Sequence, residues 1–299
     1  MRNIVKVLVS VSLLLFFLPL SKAGNFAPRN PEFITWQQQP ELFRNGYIPS
    51  PVVPIFSEQV QLRQALVLPE KFDLRDVDGT NFLLSPRSQG VIGGCWAFST
   101  MAAIESVWYR LGKQDGYLSV ENILNCSGFV FGKNDGGNPN MATAYLARFS
   151  GPLFEASDPF INSKIGTCKT DITKADKVAV VGSAYFLPTD VKTIKQMVYL
   201  YGAVGTRMYG DALYSYYNSS TYSTYLSDRK TPDHAVSIVG WDDTKVITIP
   251  NKPSPSAPGA WIVKNSWGST WGNGGYFYAS YEDLLIGTEG VVYPQRIEK

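Results

Sequence analysis

Cys95 follows Gly93-Gly94 and opens a run in which Ala97, Met101, Ile104, Trp108 and Leu111 recur at three- and four-residue steps. It therefore falls in the first turn of an expected helix, which Gly112 is placed to stop. At a helix start the unpaired amides and the dipole favour negative charge, and a thiolate, unlike a thiol, is a good nucleophile. A lone cysteine at such a place is otherwise a small buried hydrophobe; the two glycines, which let a substrate backbone come close, weigh toward chemistry. The chain has a single histidine, His234, in Asp233-His234-Ala235-Val236. Beside a strand a histidine is usually structural, yet any imidazole base for Cys95 must be this one. Asn265 reads by position as a turn residue, and its amide carbonyl is also a group that can hold an imidazole in one tautomer and orientation. Trp267 could roof that hydrogen bond. Gln89 offers a side-chain N–H that could join the Cys95 backbone N–H in an oxyanion hole.

The elements that must position these residues divide along the chain. Besides the helix after Gly94, helices are expected over Ser119–Leu124, Asn140–Phe149 and Asp190–Tyr201, with Asp190 as an N-cap. Val236–Val239, Val246–Ile249, Trp261–Lys264 and Tyr276–Tyr281 read as strands, and Asn251–Gly259 as an exposed loop. Helices first and strands second predict an α+β protein with two packed halves, about 69–185 and 186–299. Residues 1–23 read as a cleaved secretory signal: Arg2 and Lys6, a short apolar run from Leu8 to Leu20, then Ser21-Lys22-Ala23. That run is too short to span a bilayer, so no stable membrane anchor is expected and the mature chain is placed in an extracytoplasmic compartment, where disulfides are permitted. Residues 24–68 hold six prolines and one plausible helix near Phe56–Leu66, and could be a linker, a wrapped arm or a pro-segment.

Composition narrows the function. The chain has 299 residues, 44% hydrophobic and 17% charged, with 27 Lys and Arg against 25 Asp and Glu. Without Arg2, Lys6 and Lys22 the balance is close to neutral, which disfavours a nucleic-acid binder. One histidine and three cysteines with no C-x-x-C pair leave no multi-His or zinc-module pattern, so neither metal nor cofactor is expected. Seven tyrosines between 201 and 225 could line a cleft or simply pack.

Three stretches taken in order resemble the papain-like cysteine peptidases: Gln89-Gly90-x-x-Gly93-Gly94-Cys95-Trp96-Ala97-Phe98-Ser99, then Asp233-His234-Ala235-Val236, then Lys264-Asn265-Ser266-Trp267-Gly268-x-x-Trp271-Gly272-x-x-Gly275-Tyr276. The resemblance spans about Leu68 to Pro294 and implies a papain-like two-domain fold with a cleft between a helical and a β-rich domain. It implies Cys95 as nucleophile, His234 as its partner, Asn265 as the group that orients His234, and Gln89 in the oxyanion hole. Gly136-Gly137 match the family segment whose backbone pairs with an extended substrate, and Asp233 and Trp267 join the substrate-facing set. The main selectivity pocket, for the residue two before the scissile bond, falls near Glu289 or Gly290; a glutamate there would admit basic side chains, and a glycine would leave an open apolar pocket. A Cys126–Cys168 disulfide is implied. A second family bridge is missing at both ends, since Ile92 and Asn134-Asp135 stand where its cysteines would be. Residues 24–68 are then read as a short inhibitory pro-segment, with a permanent structural arm as the alternative. The expected protein is a monomeric, exported cysteine endopeptidase acting on protein or peptide substrates. An exopeptidase and a catalytically silent binding protein on the same fold are the competing readings.

Overall fold

The computed structural model describes residues 28–39, 46–53, 66–113, 116–169 and 180–297. The expected leader and all but the last residue of the expected helix over 56–66 lie outside them. The expected helix at Cys95 forms as α2 (Cys95–Arg110), after α1 (Pro31–Gln38) in the N-terminal segment. Leu111 caps α2, and Gly112 follows at φ 76°, a left-handed turn that glycine adopts without strain. From Cys95 to Trp108 every residue of α2 is buried, so the apolar stripe understates the helix: it runs through the interior rather than along a surface. Its buried serines and glutamate find partners there. Ser99 Oγ donates to the Val236 carbonyl at 2.8 Å, Ser106 Oγ accepts the Ala203 N–H at 3.1 Å, and Glu105 accepts the Leu118 N–H at 2.8 Å.

Helices α3 (Val120–Cys126) and α4 (Pro139–Ala147) pack on α2 and start at side-chain caps. Ser119 Oγ accepts from Asn122 N, and Asn138 Oδ1 accepts from Met141 N. Asp190 caps α5 (Val191–Leu200) as its sequence position suggests. A disulfide joins Cys126 to Cys168, leaving Cys95 as a free, buried thiol.

On the other side of α2 lies one large sheet, in which the described residues contribute nine strands. Its central run is β3 (Val204–Met208), β6 (His234–Asp242), β7 (Ala260–Lys264) and β8 (Tyr276–Ser280), all antiparallel. β9 (Gly290–Ile297) lies beyond β3 and pairs with β2 (Val180–Leu187), while the short β4 (Tyr217–Asn218) and β5 (Ser223–Thr224) extend the far edge. β1 (Lys71–Asp73), from the first half of the chain, adds to β6. The short α6 (Ala212–Ser215) precedes β4. The architecture is the α+β arrangement expected, a helical layer packed on a β-rich one. Val246–Ile249 is not a strand. Ile247 and Ile249 are buried against Ala260 while Val246 is exposed, so the apolar alternation marks packing of a loop rather than membership of a ladder.

Candidate active site

The site is assembled where the start of α2 meets the start of β6. Gly94 caps α2 with no side-chain bond, and no acidic residue occupies the first turn, so the amides at this end are left for Cys95. The Cys95 sulfur lies against the backbone N–H groups of Ala235, Trp96 and Cys95 itself. These favour a thiolate, but burial is the larger effect and pushes the thiol well above its usual range, with Asp233 adding to the rise.

His234 is completely buried, and its Nε2 lies 2.8 Å from Asn265 Oδ1. An amide oxygen only accepts, so Nε2 carries the proton and Nδ1 presents a lone pair. The Asn265 oxygen also accepts the Ser266 N–H at 2.8 Å, which fixes the direction of the amide. Trp267 lies against the imidazole, ring centres 5.2 Å apart, as a cover for this hydrogen bond. Burial lowers the His234 pKa from 6.5 to about 4, partly offset by the bond to Asn265. Among the described residues Nδ1 has no hydrogen-bond partner, so no hydrogen bond links it to the Cys95 sulfur, and burial disfavours the charged form of both groups.

Gln89 is brought to Asn265 by a short pairing of two loops, Ser88 against Trp267, with Gln89 N donating to the Ser266 carbonyl at 2.8 Å. Its amide is fixed from both ends: Ser266 Oγ donates to Oε1 at 2.6 Å and Nε2 donates to the Ile92 carbonyl at 2.8 Å. A groove of 390 Å³ opens beside it, walled by Val91, Tyr214, Trp267 and Trp271. Tyr214, from the tyrosine-rich stretch, stacks on Trp267 at 5.8 Å.

On the other side of Cys95 the cleft is filled by the chain's own residues 46–50. Gly137 donates to the Gly46 carbonyl at 3.0 Å and accepts from Ile48 N at 2.8 Å, so Tyr47 pairs with Gly137 as a parallel strand. Tyr47 N donates to the Asp233 carbonyl at 3.1 Å. Gly137 must be glycine: a Cβ there would sit 2.4 Å from the Trp96 ring. Gly46, at φ 94°, passes so close to Gly93 that a Cβ would lie 2.1 Å from its carbonyl carbon. Tyr47 and Ile48 are each 1% exposed.

The Tyr47 phenol enters a pocket and donates to Glu289 Oε2. Glu289 also meets Arg207 of β3 at 3.1 Å, and Arg207 holds Glu32 of α1 as well. Gly290 stands behind, with Leu187 and Val204 3.3 Å from where its Cβ would be. Next to this cluster lies a pocket of 160 Å³ lined by Ser50, Pro139, Leu187, Arg207, Glu289 and Gly290. Gly46, Tyr47 and Arg207 were not legible as site residues. Tyr47 lies in a proline-rich stretch without periodicity, and Arg207 is one cation in a short strand.

A thiol at a helix start, an imidazole at a strand start, and an amide beyond the next strand, set on either side of a groove, define a cysteine-hydrolase type of site on a helix-plus-sheet scaffold. The papain family cysteine protease model matches residues 68–292. The chain is 30% identical over 259 residues to human cathepsin O, covering 83% of this chain and 73% of that protein. It is 34% identical over 203 residues to bovine pro-cathepsin H (66% and 56%), and 30% identical over 212 residues to rat cathepsin 7 (70% and 60%). It thus spans less than two thirds of the length of rat cathepsin 7. Among solved structures, the cysteine protease and lectin-like domains of Clostridium difficile Cwp84 superpose with a TM-score of 0.75 at 24% identity, covering 91% of this chain and 61% of that one. Procathepsin L2 of Tenebrio molitor gives 0.65 at 23% identity, covering 90% and 84%. The chain belongs to the papain family of cysteine proteases.

Proposed function

We propose that the protein is an exported cysteine endopeptidase made as a zymogen. In this reading residues 1–23 direct export, 24–68 are the inhibitory segment, and 69–299 form the catalytic unit. The observation that carries it is the Cys95 sulfur against the Ala235 N–H, next to the hydrogen-bonded His234–Asn265 pair, beside a cleft that the chain's own Gly46-Tyr47-Ile48 fills as an added strand. With that strand gone, water returns to the sulfur and the imidazole, the burial that disfavours their charged forms is relieved, and the proton can pass from Cys95 to His234 Nδ1. The thiolate then attacks the peptide carbonyl while Gln89 Nε2 and the Cys95 N–H take up the charge developing on its oxygen. The C–N bond breaks as His234 gives its proton to the leaving amine, and the thioester is hydrolysed by a water whose proton His234 accepts. Asn265 and Trp267 hold the ring in place throughout. Among the described residues no helix is long and apolar enough to cross a membrane.

The test is Cys95→Ala. Hydrolysis of end-blocked peptides should fall by about 10⁴-fold or more with the melting temperature unchanged; retained turnover refutes the assignment. Labelling of Cys95 by an epoxide thiol trap should be slow in the full-length chain and rapid after residues 24–68 are removed. Equal rates would make that segment a structural arm.

A further inference from the structure

The pocket that receives Tyr47 carries two opposed charges. Glu289 is held by a left-handed backbone (φ 48°) with its carboxylate turned to Arg207 and to the Tyr47 hydroxyl. Arg207 is fixed in turn by Nε donating to Thr288 Oγ1 at 2.8 Å, and by the ladder of β3 with β6. Burial and the neighbouring carboxylate push the Tyr47 hydroxyl well above its usual range, so it remains a donor. Glu32 completes the cluster but sits on the N-terminal segment and would leave with it. What stays is one guanidinium against one carboxylate, a pocket with a strong hydrogen-bond acceptor and no net charge. A lysine or arginine side chain reaching Glu289 would have to lie beside Arg207, with like charges close together in a poorly solvated place. A phenol meets the same acceptor with no such conflict, and phenylalanine would leave Glu289 Oε2 without the donor that Arg207, on Oε1, does not replace.

We propose that this pocket selects tyrosine: Glu289 accepts the hydroxyl of the substrate residue two before the scissile bond, and Arg207 cancels the charge of Glu289 and so excludes basic side chains. The proposal rests on the proteolytic reading of the same cleft and reverses the preference that a glutamate alone would give. Tyr47 is the imprint of that preference, placed opposite Gly137 by the segment that blocks the site.

The first test uses the full-length chain and needs no turnover. The rate at which iodoacetamide labels Cys95 reports how often the segment leaves. Tyr47→Phe should raise that rate about ten-fold and Tyr47→Arg at least as much. Labelling of the Tyr47→Phe chain or of the Tyr47→Arg chain at the unsubstituted rate, in protein that melts as one transition, overturns the proposal. The second test offers the processed enzyme four end-blocked peptides differing only at the position two before the cut, as Tyr, Phe, Arg or Glu. Tyrosine should lead in kcat/KM by about ten-fold over phenylalanine and by more over arginine; a lead for arginine overturns the assignment. If none of the four is cleaved, it is the protease reading that fails, and the labelling result still decides what the pocket prefers.

Discussion

At position 234 the imidazole is enclosed by protein, with Asn265 on one nitrogen and Trp267 on its face. Its folded pKa, about 4, lies below the unfolded value of 6.5, so between these limits the unfolded chain binds more protons. Stability of the occluded form is therefore complete above pH 6.5 and is lost as pH falls toward 4, by about 3 kcal/mol at most from this residue. Asp233 and the Cys95 thiol are the titratable groups beside it. Melting curves of the Cys95→Ala chain from pH 7 to pH 4 should show the loss, and His234→Gln should remove a measurable part of the slope. An identical slope in both chains would mean that surface carboxylates account for the acid sensitivity.

Among the elements, α2 bears the most. It carries Cys95 at one end and fills the interior along its length, so truncation at its centre should be severe. Ile104→Ala should lower unfolding stability by about 2–5 kcal/mol, read from urea midpoints. Much of this element was legible: the three- and four-residue recurrence from Ala97 to Leu111 and the flanking glycines mark its ends closely. Periodicity could not show that Ser99, Glu105 and Ser106 also face protein, because their partners lie in strands and loops distant in sequence. For the same reason Val246–Ile249 read as a strand, since alternation reports burial and not ladder pairing. The catalytic candidates were legible because their neighbours are distinctive, Gly-Gly before Cys95 and Ser-Trp-Gly after Asn265. The segment across the cleft was not, because its seat depends on the absence of a side chain at Gly46. Gly46→Ala would press a methyl into Gly93; we expect it to unseat the segment and to raise labelling of Cys95 in the full-length chain by ten-fold or more. An unchanged rate would show that the segment is held by α1 and Arg207 instead.

Across the whole molecule, the two layers are tied by β1 on β6, by α2 against the sheet, and by the loop pairing of Ser88 with Trp267. The single cross-link, Cys126–Cys168, closes 42 residues of the helical layer. Replacing both cysteines with serine should lower unfolding stability by about 2–4 kcal/mol in denaturant. The loop that presents Cys95 is anchored differently. Where the family's other bridge would join it to the Gly136-Gly137 strand, the Gly93 N–H donates to Asn134 Oδ1 at 3.0 Å, with Ile92 buried alongside. The tether next to the nucleophile is thus one that electron donors cannot cut. The conditions that keep a lone sulfhydryl unoxidised and those that would weaken a cystine-braced groove need not conflict in this protein, and glutathione-rich surroundings should keep the thiol free without loosening the loop that presents it.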